Sequence, residues 1–174
     1  MNIIVMGPPG SGKTTQAKLL AKKLDVPNIS TGDIYRVVAK ENSELGRKVK
    51  AVMDSGELLD DQTTFQIIDR HLGEIKGGFV IDGFPRTLIQ AQRNVFAVDK
   101  VFYLRLDDGQ AVKRLLLRQR NDDTSEIISE RLRLYHQDTE PILNYYRTQD
   151  KLVETDGGKT VEEVYQLILQ ALND

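Results

Sequence analysis

Residues 7 to 14 read Gly-Pro-Pro-Gly-Ser-Gly-Lys-Thr, and they stand between an apolar run, Asn2 to Met6, and a stretch with helical periodicity. Few sequence features restrict a fold so tightly. The spacing Gly7-x4-Gly12-Lys13-Thr14 in that setting is the phosphate-loop pattern. It requires a buried strand, a glycine-rich turn whose N–H groups point inward, and a helix whose positive end faces the same point. The expected ligand is a nucleoside triphosphate. Residues 10–15 (Gly10, Ser11, Gly12, Lys13, Thr14 and Thr15) would surround its phosphates, with Lys13 reaching the terminal ones and the Thr14 hydroxyl holding Mg2+. The competing reading, a glycine-rich turn without a ligand, does not require strand, loop and helix to stand in this order.

The rest of the chain bounds the fold. Its 174 residues are enough for one domain that buries most of its unfolded surface, so a single domain over 1–174 is expected. Hydrophobic residues make up 40% and charged residues 29%, with no run of membrane-spanning length and no basic-then-apolar leader at Met1, which points to a cytoplasmic protein. Zero cysteines and two isolated histidines, His71 and His136, offer no zinc pattern, so any metal should arrive with the nucleotide. A net charge of −2 supplies no basic field for nucleic acid.

Short apolar runs alternate with helical periodicity, the pattern of an α/β fold with a parallel sheet covered by helices. Five strands are expected: Asn2 to Met6, a short one near Pro27 to Ile29, Gly78 to Ile81, Lys100 to Leu104, and Leu152 to Thr155. The helix after the phosphate loop carries Ala17, Leu20, Ala21 and Leu24 on one face, and the last helix carries Val161, Val164, Tyr165, Ile168 and Leu172. Thr160 with Glu163 forms a capping box at the start of that last helix.

Two segments break the alternation. Helical stretches from Gly32 to about Leu72 separate the second and third strands, and a short polar connection near Gln119 to Thr124 joins two helical patterns, Gln110 to Arg118 and Ser125 to Tyr146. Ligands of open α/β sheets bind beyond the carboxyl ends of the strands, so both insertions should overhang the phosphate loop as moving covers.

Further along stand Thr31-Gly32-Asp33 with Arg36, then Gly56-Glu57-Leu58-Leu59, Asp82-Gly83-Phe84-Pro85-Arg86-Thr87 with Gln90, and Arg120 to Asp123. Arg131-Leu132 with Tyr135, the run Glu140 to Tyr146 and Asp156-Gly157 follow. These ordered blocks resemble the adenylate kinases over nearly the whole chain. The resemblance implies the P-loop NTPase fold, a five-stranded parallel sheet flanked by helices, with a helical AMP-binding insertion at about 30–60 and a lid at about 119–124. It implies the reaction ATP + AMP = 2 ADP with Mg2+, carried out by a monomer on free nucleotides. A UMP or CMP kinase is the neighbouring reading, and a slow nucleotide-sensing switch is one from another class.

Phosphoryl transfer needs two anionic substrates held in line and the moving charge spread over cations, a task that suits the planar, permanently charged guanidinium. The resemblance gives Arg36 and Arg86 the AMP phosphate and lays Arg114 over the ATP adenine beside Gly158 and Lys159. Arg118, Arg120 and Arg131 would close on the phosphates, the last two also reaching AMP. Thr31, Gly32, Gly83, Gln90 and the backbone of Glu57, Leu58 and Leu59 would form the AMP site, Thr31 and Gln90 setting the preference for adenine. Asp82 and Asp33 would hold Mg2+ through water.

Blander readings stand beside these. Arg114 and Arg118 are four apart and near Asp107 and Asp108, so a salt-bridged surface face accounts for them as well. Asp82 ends an apolar strand where a helix cap is the structural alternative, and Asp33 serves equally as a cap. Asp122 and Asp123 precede a helix start at Ser125, where capping is expected of at least one. His136, Tyr145 and Tyr146 read as packing or surface residues. Within the resemblance the chain departs in one place: only Gln119 separates Arg118 from Arg120, which makes the lid close to minimal.

Overall fold

The first apolar run forms β1 (Asn2–Met6), the middle strand of a five-stranded sheet completed by β2 (Asn28–Ser30), β3 (Phe79–Asp82), β4 (Lys100–Arg105) and β5 (Leu152–Asp156). The computed structural model describes every residue except Glu74, Val95, Gln119, Asn121, Asp122 and Asp174. The strand order is β2-β3-β1-β4-β5, and every neighbouring pair is parallel. The connection after β1 runs to β2 on one side, and that after β3 passes β1 to β4 on the other, which opens a crevice at the carboxyl end of β1. Register pairs Val5 with Asp82, so the carboxylate at the end of β3 stands beside the start of the phosphate loop.

Alternating side chains of the central strands feed two cores, as strands buried on both faces require. Ile3, Val5, Phe102 and Leu104 pack on one face against α1 (Lys13–Leu24) and α9 (Val161–Asn173) through Ala17, Leu20, Val164 and Ile168. Ile4, Met6, Ile81 and Val101 pack on the other against α4 (Asp61–Leu72), α5 (Leu88–Gln92) and α8 (Ile142–Arg147). The capping box forms, with the Thr160 N–H donating to Glu163 Oε2 at 2.9 Å and the Glu163 N–H donating to Thr160 Oγ1 at 3.3 Å. Val161, expected on the packed face of α9, is instead 53% exposed; it is the first residue of that helix.

Each insertion has a small core of its own. Tyr35, Val38, Val49, Leu59 and Ile67 hold together α2 (Thr31–Val38), α3 (Glu44–Ser55) and the start of α4. Ala111, Leu115, Ile128 and Leu132 hold α6 (Asp108–Arg118) to α7 (Ser125–Leu134). The two insertions meet where Gly56 packs on Ile127: a Cβ at Gly56 would lie 3.2 Å from the Ile127 carbonyl oxygen, and its φ of 78° is one that glycine adopts freely.

The continuous helix expected from Ser125 to Tyr146 is interrupted. After α7 the chain makes a π-turn, Tyr135–Thr139, and the Glu140 N–H reaches five residues back to Tyr135 O at 2.8 Å. Pro141 follows and has no N–H to donate to Gln137, so the ladder is rebuilt only from α8 onward.

Candidate active site

The cavity beyond β1 and β3 is enclosed by the phosphate loop, α2, the segment from Gly56 to Leu59, the Asp82–Arg86 turn and the arginines of α6 and α7. Gly12 precedes α1 with φ 86°, and a Cβ there would touch nothing within 4 Å, so the glycine is needed for the left-handed turn itself. Lys13 opens α1 and donates to the Pro8 carbonyl of its own loop at 3.0 Å. Burial lowers its amine to about 8; Asp82 opposes that shift, while Arg86, Arg118 and Arg131 add to it.

Asp82 is 3% exposed. Its Oδ1 accepts from Thr14 Oγ1 at 2.8 Å and from Ser30 Oγ at 3.5 Å, while Oδ2 is buried without a hydrogen-bond partner among the described residues. Burial raises the Asp82 carboxyl against the pull of Lys13. A partnerless carboxylate oxygen beside a hydroxyl is the kind of oxygen donor set that a hard divalent cation takes with part of its water shell.

Arg86 is gripped at three points: its Nε donates to Gly83 O at 2.8 Å, its N–H to Gln90 Oε1 at 2.7 Å, and its carbonyl accepts from Thr139 Oγ1 at 2.9 Å. Burial and the charges of Arg131 and Arg36 lower its guanidinium, and Tyr35 and Asp82 counter them. Arg36 lines the same cavity and pairs with Asp33. Arg118 forms a bidentate pair with Asp123 at 2.9 and 2.6 Å, and Arg131 approaches the same carboxylate at 3.7 Å. Arg118, Arg120 and Arg131 all face the cavity, so a single residue between the first two does not keep either from it.

Several expected residues have other partners. Asp33, expected on the metal, pairs with Arg36 and, at 3.7 Å, with Lys18; it is 48% exposed and does not line the cavity. The Thr31 hydroxyl donates to Asp82 O at 3.2 Å, and both amide atoms of Gln90 are engaged by Arg86 and Asp61; neither side chain lines the cavity. Arg114 caps the Gly157 and Gly158 carbonyls at 2.8 and 3.0 Å, not Asp107 or Asp108, so the salt-bridged-face reading fails for Arg114, whereas Arg118 is ion-paired, with Asp123. Lys159 is exposed. Asp123 does not cap a helix; Thr124 does, accepting from the Ile127 N–H at 3.3 Å. Gln119 and Asp122, on which part of the lid expectation falls, lie outside the described residues.

The structure adds residues that the sequence did not single out. Tyr35 and Thr139 line the cavity, and the Tyr35 hydroxyl donates to Thr64 Oγ1 at 3.3 Å. Tyr35 adjoins Arg36 in sequence, a signal that was available. Thr139 is turned inward by the π-turn, which periodicity does not announce.

Residues 5–151 match the family model for adenylate kinase. The chain belongs to the adenylate kinase family. Adenylate kinase 1 of Nostoc sp. is 42% identical over 171 residues, with 93% of each chain covered. The adenylate kinase of Mycolicibacterium paratuberculosis is 39% identical over 181 residues, with 99% of each covered. That of Fervidobacterium nodosum is 35% identical, and the alignment runs over 212 positions against a chain of 174 residues, so dozens of its positions have no counterpart here. Family and fold together make this chain a nucleoside monophosphate kinase, a phosphotransferase of the P-loop type.

Proposed function

We propose that the chain transfers the terminal phosphoryl group of ATP to AMP at this cavity, with the donor phosphates in the loop 7–14 and the acceptor under α2 to α4. The observation that carries the reading is the convergence of Lys13, Arg36, Arg86, Arg118, Arg120 and Arg131 from separate elements on one cavity at the mouth of the loop. Two anionic substrates brought together there meet preorganised positive charge in a partly water-excluded site.

Lys13 and the arginines of α6 and α7 act on the donor's terminal phosphates, and Arg36 and Arg86 on the acceptor phosphate. The free edges of Gly32, Gly83 and Glu57 to Leu59, together with Gln90 and Thr31, form the acceptor nucleoside site in this reading. Arg114 with Gly158 and Lys159 flanks the donor base. Thr14 and Asp82 would hold Mg2+, which supplies charge neutralisation between donor phosphates; Asp33 steadies Arg36 at the cavity rim. Helical insertion 30–60 and the minimal lid 119–124 are the covers, meeting at Gly56 and Ile127. All six cations come from one chain, which fits a cytoplasmic monomer acting on free nucleotides without zinc.

A coupled assay for ADP tests the reading directly: AMP should support turnover far better than UMP or CMP. A chain that favoured UMP would be a pyrimidine nucleotide kinase, and one that bound ATP and AMP with negligible turnover would be a switch.

A further inference from the structure

An amide can accept two hydrogen bonds and donate two, and the protein uses only one of each from Gln90. Oε1 accepts the Arg86 N–H at 2.7 Å, and Nε2 donates to Asp61 Oδ1 at 2.8 Å. The orientation is forced by chemistry, since an ionised carboxylate can only accept and a backbone N–H can only donate. Asp61 is itself anchored. It is the first residue of α4, and the same oxygen accepts from Thr87 Oγ1 at 2.8 Å, while that hydroxyl accepts the Gln90 N–H at 3.2 Å. The N-cap of α4 is Asp60, which bonds the Thr63 N–H at 2.9 Å, so the Asp61 side chain is not needed to start the helix.

We propose that Asp61 is a positioning residue that sets the acceptor-base selectivity of this enzyme by fixing which way the Gln90 amide faces. With the oxygen turned to Arg86 and the nitrogen to α4, the remaining lone pair and the remaining N–H stand in one fixed order. That order serves a base edge offering an amino donor beside a ring-nitrogen acceptor. A 6-oxopurine offers a carbonyl beside an N–H, which is the reverse, and only a flipped amide would serve it. Because Asp61 comes two residues after Leu59, the helical insertion that covers the acceptor also holds the amide. The inference rests on the reading of Gln90 as the group that meets the acceptor base, which requires the amide, 2% exposed and off the cavity lining in this structure, to be uncovered when the acceptor binds.

The test compares kcat/KM for AMP and for IMP in the full chain and three variants. Asp61→Ala should lower the AMP-to-IMP ratio by about ten-fold, chiefly through KM for the monophosphates and with KM for ATP unchanged, since a misdirected buried amide leaves polar groups unpaired. Asp61→Asn, which can keep an acceptor oxygen toward both Gln90 and Thr87, should restore the ratio. Gln90→Ala should abolish the preference. An unchanged ratio in Asp61→Ala beside a collapsed ratio in Gln90→Ala overturns the role of Asp61 alone. Unchanged ratios in both variants overturn the Gln90 reading and this proposal with it. Should Asp61→Ala lose its fold, Asp61→Ser, too short to reach the amide, takes its place with the same expected result.

Discussion

At the scale of single residues, Lys13 carries the clearest consequences. Its amine bonds a carbonyl of its own loop and in the proposed reaction turns to the donor phosphates instead, so Lys13→Met should keep the fold and the melting temperature. It should also slow transfer by roughly 10³-fold, the order expected for loss of one preorganised transition-state donor; near-normal turnover would remove Lys13 from the mechanism. The free amine, lowered to about 8, is neutral above that pH, whereas bound phosphate favours the charged form. ATP affinity should therefore fall as pH rises through 8, with proton uptake on binding, and calorimetry in buffers of different ionisation enthalpy reads both. In Lys13→Met that slope should vanish. Arg86→Ala should raise the AMP requirement strongly and leave ATP affinity little changed. Equal damage to both substrates in separate titrations would contradict its assignment to the acceptor.

At the scale of elements, the π-turn after α7 is tied back to α6 through His136. His136 places Nε2 at 3.0 Å from Asp108 on α6 and Nδ1 at 2.8 Å from Glu140, so both nitrogens face carboxylates. The hydrogen bond to Glu140 and then that to Asp108 raise the imidazole above its ordinary value, and burial works only weakly against them. A raised histidine contributes stability that is complete below its unfolded pKa and disappears as pH climbs through the folded one. Wild type should thus exceed His136→Asn in melting temperature at pH values below the ordinary histidine value of roughly 6.5 and lose that margin as pH climbs above it through the raised one. The margin should be small, about 0.5 kcal/mol, because the ring is 45% exposed to screening solvent. A margin that grows with pH would show that the pair does not hold α6 to the π-turn.

At the scale of the molecule, two insertions with small cores stand beside a sheet with large ones. Adenylate kinases are a standard example of enzymes whose lid closure excludes water. In the proposed reading the lid offers little chain for that task, and Gly56 of the acceptor insertion packs on Ile127 of α7. ATP hydrolysis without AMP should be a larger fraction of turnover than in a long-lid relative. A family-length lid grafted after Arg118, with Arg120 retained, should suppress hydrolysis and preserve transfer. An unchanged ratio of the two rates would mean that the arginines and the acceptor cover already seal the site.

The sequence by itself determined the central strands, the phosphate loop and the order of the motif blocks, because each is encoded by neighbours in the chain: an apolar run for β1, glycines where the backbone must turn, Asp82 where β3 ends. It also marked every cation that lines the cavity. Tertiary structure alone decided where those groups face. Thr31 and Gln90 are bound to Asp82 and Asp61, 51 and 29 residues distant in sequence, and no local pattern records such pairings. Periodicity carried the helix past Tyr135, but Pro141 lacks the N–H that would continue the ladder, and the resulting π-turn brings Thr139 to Arg86. Hydrogen-bond allegiance is settled by which buried donors and acceptors the packed elements bring within 3 Å of each other, and that is known only after the chain has folded.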